Sequence, residues 1–268
     1  MTLKYYYNNY TAFIITFAVV LLMHDSFLFF SNKPAPTLNY ICIFGFTYIA
    51  YSNFKQYVYK LKPAGLIGLT IAYLLICYIC FKQIWAVLIM LLVAALVYAY
   101  QQPAYKNQFA LRQIPFGKTI TLALVWSLIT VALPATYITY VSTTTITLVF
   151  LRRMIFLAAM SLPFDLRDVN TDTSISYFNT VNHLGSYKAK FICMSLLVLN
   201  LLLLLILFGT PTDFYLASLY FLAFTAAYPC YLYFKNQNTW YLLWLDVCLL
   251  VESVLLWGIY QSNHRFIF

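Results

Sequence analysis

Charge is what this sequence has least of, and acidic charge least of all. Seven Asp and Glu stand against sixteen Lys and Arg in 268 residues, so 9% of the chain is charged while 63% is hydrophobic. A soluble domain is nearer about 25% charged and about 45–50% apolar. Charges this few cannot clothe a water-facing surface, which excludes a soluble enzyme and a disordered tail. It also excludes a nucleic-acid partner, although the net charge is +9. His24, His183 and His264 share no ligand spacing, so no zinc site is expected. The six cysteines all sit in apolar runs. Cys77 and Cys80 form a CxxC with no histidine or second CxxC beside it, and the set reads as small buried hydrophobes. No nucleophile elbow appears.

What the chain has in quantity is long apolar runs, with a mean hydropathy of +0.80. The class this implies is an all-α, polytopic membrane protein forming a single transmembrane domain over 1–268. Polar punctuation divides it into about nine transmembrane helices, near 11–31, 38–54, 64–81, 83–101, 116–135, 144–164, 189–208, 213–234 and 240–261. The first apolar run continues past the length of a signal peptide without a cleavage site, so it is expected to be a span. With the N-terminus on side one, that side collects Lys4, Lys55, Lys60, Lys62, Lys106, Arg112, Lys118, Arg167, Lys188, Lys190 and Lys235. The other side holds Lys33, Lys82, Arg152, Arg153 and Arg265. Eleven against five favours a multi-pass protein of the cytoplasmic (inner) membrane with a cytoplasmic N-terminus. The basic excess is then a topology signal and a membrane-surface charge.

The few acids are not scattered. Six of the seven follow residue 164, and Asp165, Asp168 and Asp172 cluster at the expected cytoplasmic end of span six. Spacings of three and seven place these carboxylates within an arc of about 60° on one helix face. Hard oxygen ligands on one face suit Mg2+, which keeps waters and shares substrate phosphates. Arg167, Arg112, Lys118, Lys188 and Lys190 are candidates to grip the same phosphates. The alternative is a solvated helix end with Arg167 pairing locally.

Asp165, Arg167, Asp168 and Asp172, followed by Thr180, His183, Leu184, Gly185 and Lys188, resemble the second aspartate-rich motif of the UbiA superfamily of intramembrane prenyltransferases. That motif reads D-x-x-D-x-x-x-D, then a short loop ending in L-G. The stretch Tyr98, Tyr100, Gln101, Gln102 and Pro103, with Arg112, Ile114, Pro115, Lys118, Trp126 and Pro134, is similar to the family's fourth-to-fifth helix region. The likeness is strongest from about 95 to 190. It implies a UbiA-like bundle of nine helices with a cytoplasmic active side. It also implies transfer of an isoprenoid chain from a prenyl diphosphate to a small aromatic or lipidic acceptor. Asp165, Asp168 and Asp172 would then be Mg2+ ligands and catalytic carboxylates. Arg112, Lys118, Arg167 and Lys188 would bind the diphosphate.

The family's first motif, N-D-x-x-D, belongs at the end of span two. Here Asn53 matches, but Phe54 and Tyr57 stand where the aspartates belong. Since no acid lies between Asp25 and Asp165, half of the family's metal-binding carboxylates are absent. Lys55, Lys60 and Lys62 are positioned to meet a diphosphate directly. A second functional class follows: a catalytically degenerate UbiA-like protein that binds an isoprenoid or other membrane lipid, or acts as a membrane subunit of a larger complex.

Other charges fall at membrane depth. Arg152 and Arg153 precede Asp165 by about twelve residues, or about 18–20 Å along a helix, and Glu252 lies at similar depth in the last span. An intramembrane charge costs at least ~2.5–3.5 kcal/mol on the insertion scale. One arginine is therefore expected to pair with Glu252, with Asp25 as the competing partner. Its expected role is structural, the alternative being a polar patch in a lipid-substrate cavity. The 25 Tyr and 23 Phe read as interfacial belts and helix packing rather than as carbocation-stabilising faces. Asp246 reads as an acceptor-side carboxylate or a locally hydrogen-bonded one.

Overall fold

The computed structural model describes residues 2–31, 33–51, 71–76, 78–79, 82–101, 111, 114, 116–138, 140–174, 180–208 and 249–258. Side chains at 2–11, 50–51, 101, 166–174, 182 and 186 fall outside that description. Among the described residues the chain is helical and has no strand. The elements are α1 (Thr2–Ser31), α2 (Thr37–Tyr51), α3 (Ile84–Gln101), α4 (Gly117–Ser127), α5 (Thr143–Ser174), α6 (Thr180–Leu184), α7 (Ser186–Phe208) and α8 (Leu249–Gly258). From α4 the helix continues through a π turn, Leu128–Ala132, into the short tail Leu133–Ala135.

Four helical segments are long and apolar enough to cross a membrane: Ala12–Ser31, Gly117–Ala135, Thr143–Asp165 and Tyr187–Leu207. They coincide within a few residues with the expected spans 11–31, 116–135, 144–164 and 189–208. This makes the chain a helical membrane protein. The expected span 83–101 is a shorter apolar helix, Ile84–Tyr100, outside those four. The expected span 213–234 lies outside the described residues, and those at 38–54, 64–81 and 240–261 are described in part.

The chain forms two compact units. The first comprises Met1–Leu91, Ile129–Val141 and Leu242–Phe268. Here α1 packs on α2 and on the Leu133–Ala135 tail. Hydroxyls inside α1 bond back to its own carbonyls: Thr16 donates to Ala12 (2.6 Å), Ser26 to Leu22 (3.2 Å) and Ser31 to Phe27 (2.7 Å). An apolar surround offers them no water, so the helix supplies the acceptors. Where α1 turns into α2, the Tyr40 hydroxyl accepts the Ala35 N–H at 2.8 Å and bonds His24 Nδ1 at 2.7 Å. Phe13 meets Phe44 edge-on, which runs the two helices antiparallel.

The second unit comprises Leu92–Leu128 and Ser142–Tyr241. Its central element is α5, packed against α4 and α7. α7 shows why. It buries Ala189, Cys193, Leu197, Asn200 and Leu204 at helical spacing and turns Phe191, Val198, Leu202 and Ile206 outward. The polar Asn200 lies inside and large apolar side chains lie outside, the distribution a helix takes when its outer surroundings are lipid. Pro163 inside α5 has no N–H, which deprives the Ala159 carbonyl of its helical donor. The Cys193 thiol of α7 supplies one, with Sγ 3.3 Å from that oxygen. A defect in one helix is thus filled by its neighbour, and the contact fixes the antiparallel register of α5 and α7.

Candidate functional site

The site is built on the end of the second unit where α4 begins and α5 leaves its apolar span. α4 starts abruptly. Phe116 sits in the left-handed region (φ 61°), and Gly117 follows with its N–H on the Ile114 carbonyl at 2.9 Å. A Cβ on Gly117 would collide with the backbone carbonyl of Leu111. Glycine is required here by close approach. Ile120 N–H bonds the Phe116 carbonyl at 2.9 Å and closes the first turn. This fixes where the next residue, Lys118, springs from.

On the facing helix, the apolar segment of α5 ends at Asp165 and the helix runs on through Ser174. The backbone is therefore helical through Asp165, Asp168 and Asp172, as their spacing requires. Lys118 and Asp165 meet: Nζ lies 2.8 Å from Oδ1, with side-chain exposures of 8% and 0%. At that burial the pair is not a screened surface contact. Each group has given up most of its hydration, and the contact offsets part of that loss. By the register that the Cys193–Ala159 contact sets, Tyr187 lies level with Asp165. The exposed Lys188, in the first turn of α7, therefore stands at the same end of the unit. Gly185, at φ 79°, makes the turn that leads into α7.

Of the other site residues singled out from sequence, Arg167, Asp168 and Asp172 have described backbones only. Asn53, Arg112 and Asp246 lie outside the described residues. Arg152 and Arg153 are buried in the second unit, and Glu252 is fully buried in the first. Asp25 is half-buried on α1.

Asp165, expected as a Mg2+ ligand, holds the Lys118 ammonium at Oδ1, 2.8 Å away, and the side chains of its expected co-ligands Asp168 and Asp172 lie outside the described residues. No group of three His, Cys, Asp or Glu gathers among the described residues. Sequence reasoning named Lys118 and Asp165 separately, the one for phosphate and the other for metal, and missed their direct contact. It also missed Gly117 and the bond from Cys193 to Ala159. A helical proline always leaves a carbonyl four residues earlier without its donor, and that was the available signal for the last.

Comparison with known proteins finds no matching family model, no matching curated protein and no matching solved structure.

Proposed function

We propose that the chain is a UbiA-like intramembrane protein that takes a prenyl diphosphate at the Lys118–Asp165 end of its second unit. Its activity would be transfer of the isoprenoid chain to a small aromatic or lipidic acceptor. The observation that carries this reading is the buried ion pair at 2.8 Å between two apolar helices of membrane-spanning length, with Asp168 and Asp172 following on the same helix. A diphosphate lipid has an anionic head that belongs at that boundary and an apolar tail that belongs beside the spans. In such a transfer the bond between C1 and the diphosphate oxygen breaks, the diphosphate leaves with the electron pair, and the acceptor attacks the allylic carbon and gives up a proton to water or to the departing diphosphate. Lys118 supplies positive charge to the leaving oxygens. Lys188 and the basic residues of the same expected side extend that field. A nine-span bundle in the cytoplasmic membrane, with a cytoplasmic N-terminus, completes the reading.

The test is turnover. Purified protein incubated with labelled prenyl diphosphates of several chain lengths, acceptor mixtures and Mg2+ should release diphosphate, and Asp165→Ala and Asp168→Ala should abolish the release. Absence of turnover at every chain length would end the transferase claim.

A second reading is favoured by the same ion pair together with the acid-free stretch between Asp25 and Asp165. With Asp165 committed to Lys118 and no acid near Asn53, the chain would hold an isoprenoid or another lipid without turning it over, alone or as a membrane subunit. Binding of prenyl diphosphate without turnover separates this reading from the first.

A further inference from the structure

The outward side of α7 carries a pattern of its own. Tyr187, Lys188, Phe191, Val198, Leu202 and Ile206 fall within an arc of about 100° at helical spacing, and all are exposed. Cys193, which bonds α5, lies on the opposite side of the helix with the buried Ala189 and Asn200. From Lys188 to Ile206 the stripe runs about 27 Å along the axis at ~1.5 Å per residue. That is close to the ~30 Å hydrocarbon core of a bilayer. Below Lys188 the stripe is apolar except for Ser195, and α7 contains no acidic residue. Its one charge therefore stands at one end, with Tyr187 at 83% exposure next to it. A phospholipid is divided in the same way, with a phosphate at the boundary and acyl chains along the core. A lysine stem lies on apolar surface while its ammonium reaches the boundary, and a tyrosine ring is at home at that level. Charge complementarity then selects an anionic head over a zwitterionic one, whose own cation competes with the lysine.

We infer that the outer face of α7 binds an anionic phospholipid. Lys188 meets the head-group phosphate, Tyr187 lies beside it, and an acyl chain follows Phe191, Val198, Leu202 and Ile206. The inference goes beyond the diphosphate reading and does not rest on it. An outward Lys188 acts on a diphosphate at Lys118 only through its field, and its direct contact is the surrounding lipid.

Delipidated full-length protein in detergent decides it, titrated with phosphatidylglycerol or phosphatidylcholine while bound lipid is counted by native mass spectrometry. At about 0.1 M salt, wild type should bind phosphatidylglycerol at least about fivefold more tightly than phosphatidylcholine. Lys188→Gln should remove about fivefold of the phosphatidylglycerol affinity and leave phosphatidylcholine unchanged. Lys190→Gln should do less, because Lys190 is half-buried on the flank of the arc. Lys33→Gln, an exposed lysine of the first unit, should do nothing. These lysines are at the surface, so the variants should melt as wild type does. Phosphatidylglycerol with a photoreactive acyl chain should label α7 between Phe191 and Ile206, and unlabelled phosphatidylglycerol should suppress the labelling more than phosphatidylcholine does. Equal affinity for the two lipids would overturn the inference. So would a Lys188→Gln effect no larger than that of Lys33→Gln, or labelling that avoids α7.

Discussion

The α1–α2 pair of the first unit and the α4–α5 pair of the second are both antiparallel helices in an apolar protein, yet different chemistry joins them. At α1–α2 the joining groups are neutral: a tyrosine hydroxyl, a histidine ring and one backbone N–H, gathered at the connecting turn. At α4–α5 the joining groups are a lysine and an aspartate, buried at the end away from the connecting turn. Neutral hydrogen bonds suffice to close a turn. A chain with seven acids that buries one of them against a lysine is using a scarce group where a neutral one would also have packed. The difference teaches that the first contact is structural and the second is the better place to look for function.

The sharpest way to break that comparison is to remove one partner of the charged pair. Asp165→Ala leaves Lys118 buried without its carboxylate, with an expected loss of about 3–5 kcal/mol, read as a fall in the melting temperature in detergent. Lys118→Met/Asp165→Leu should recover most of it, since two apolar side chains pack where two charges did. Next comes the backbone beneath the lysine. Gly117→Ala forces a Cβ onto the Leu111 carbonyl and should cost about 1–3 kcal/mol, with the same melting readout. The neutral contact should matter less. Tyr40→Phe removes the acceptor for Ala35 N–H and the partner of His24, for about 1–2 kcal/mol and no change in any diphosphate binding. Smallest is Cys193→Val, which withdraws the donor from the Ala159 carbonyl and should cost about 1 kcal/mol or less. A Tyr40→Phe effect exceeding that of Asp165→Ala would reverse the ranking.

Four of the expected spans were legible in the sequence because length and hydropathy set them. Residues 144–164 and the segment Thr143–Asp165 differ by one residue at each end. The helical course through Asp165, Asp168 and Asp172 was legible for the same reason, since it follows from spacing. What the sequence does not carry is rotation. Lys118 was equally able to face a substrate or the neighbouring helix, and hydropathy cannot distinguish these because it carries no information about direction around the helix axis. Gly117 looks like any glycine near a helix start until the Leu111 carbonyl is placed against it. Cys193 was read as a small hydrophobe and is one by burial. Its second task depends on α7 lying beside the one carbonyl that Pro163 leaves without a donor.

The central claim is that the buried Lys118–Asp165 end receives the head of a prenyl diphosphate. Retention of a radiolabelled prenyl diphosphate by the purified protein, with inorganic pyrophosphate as competitor, tests it most directly. The account predicts retention by wild type, displacement by pyrophosphate, and a loss of at least about tenfold in affinity in Lys118→Met with the fold intact by melting. Equal retention by wild type and Lys118→Met, or retention that pyrophosphate does not displace, would contradict it.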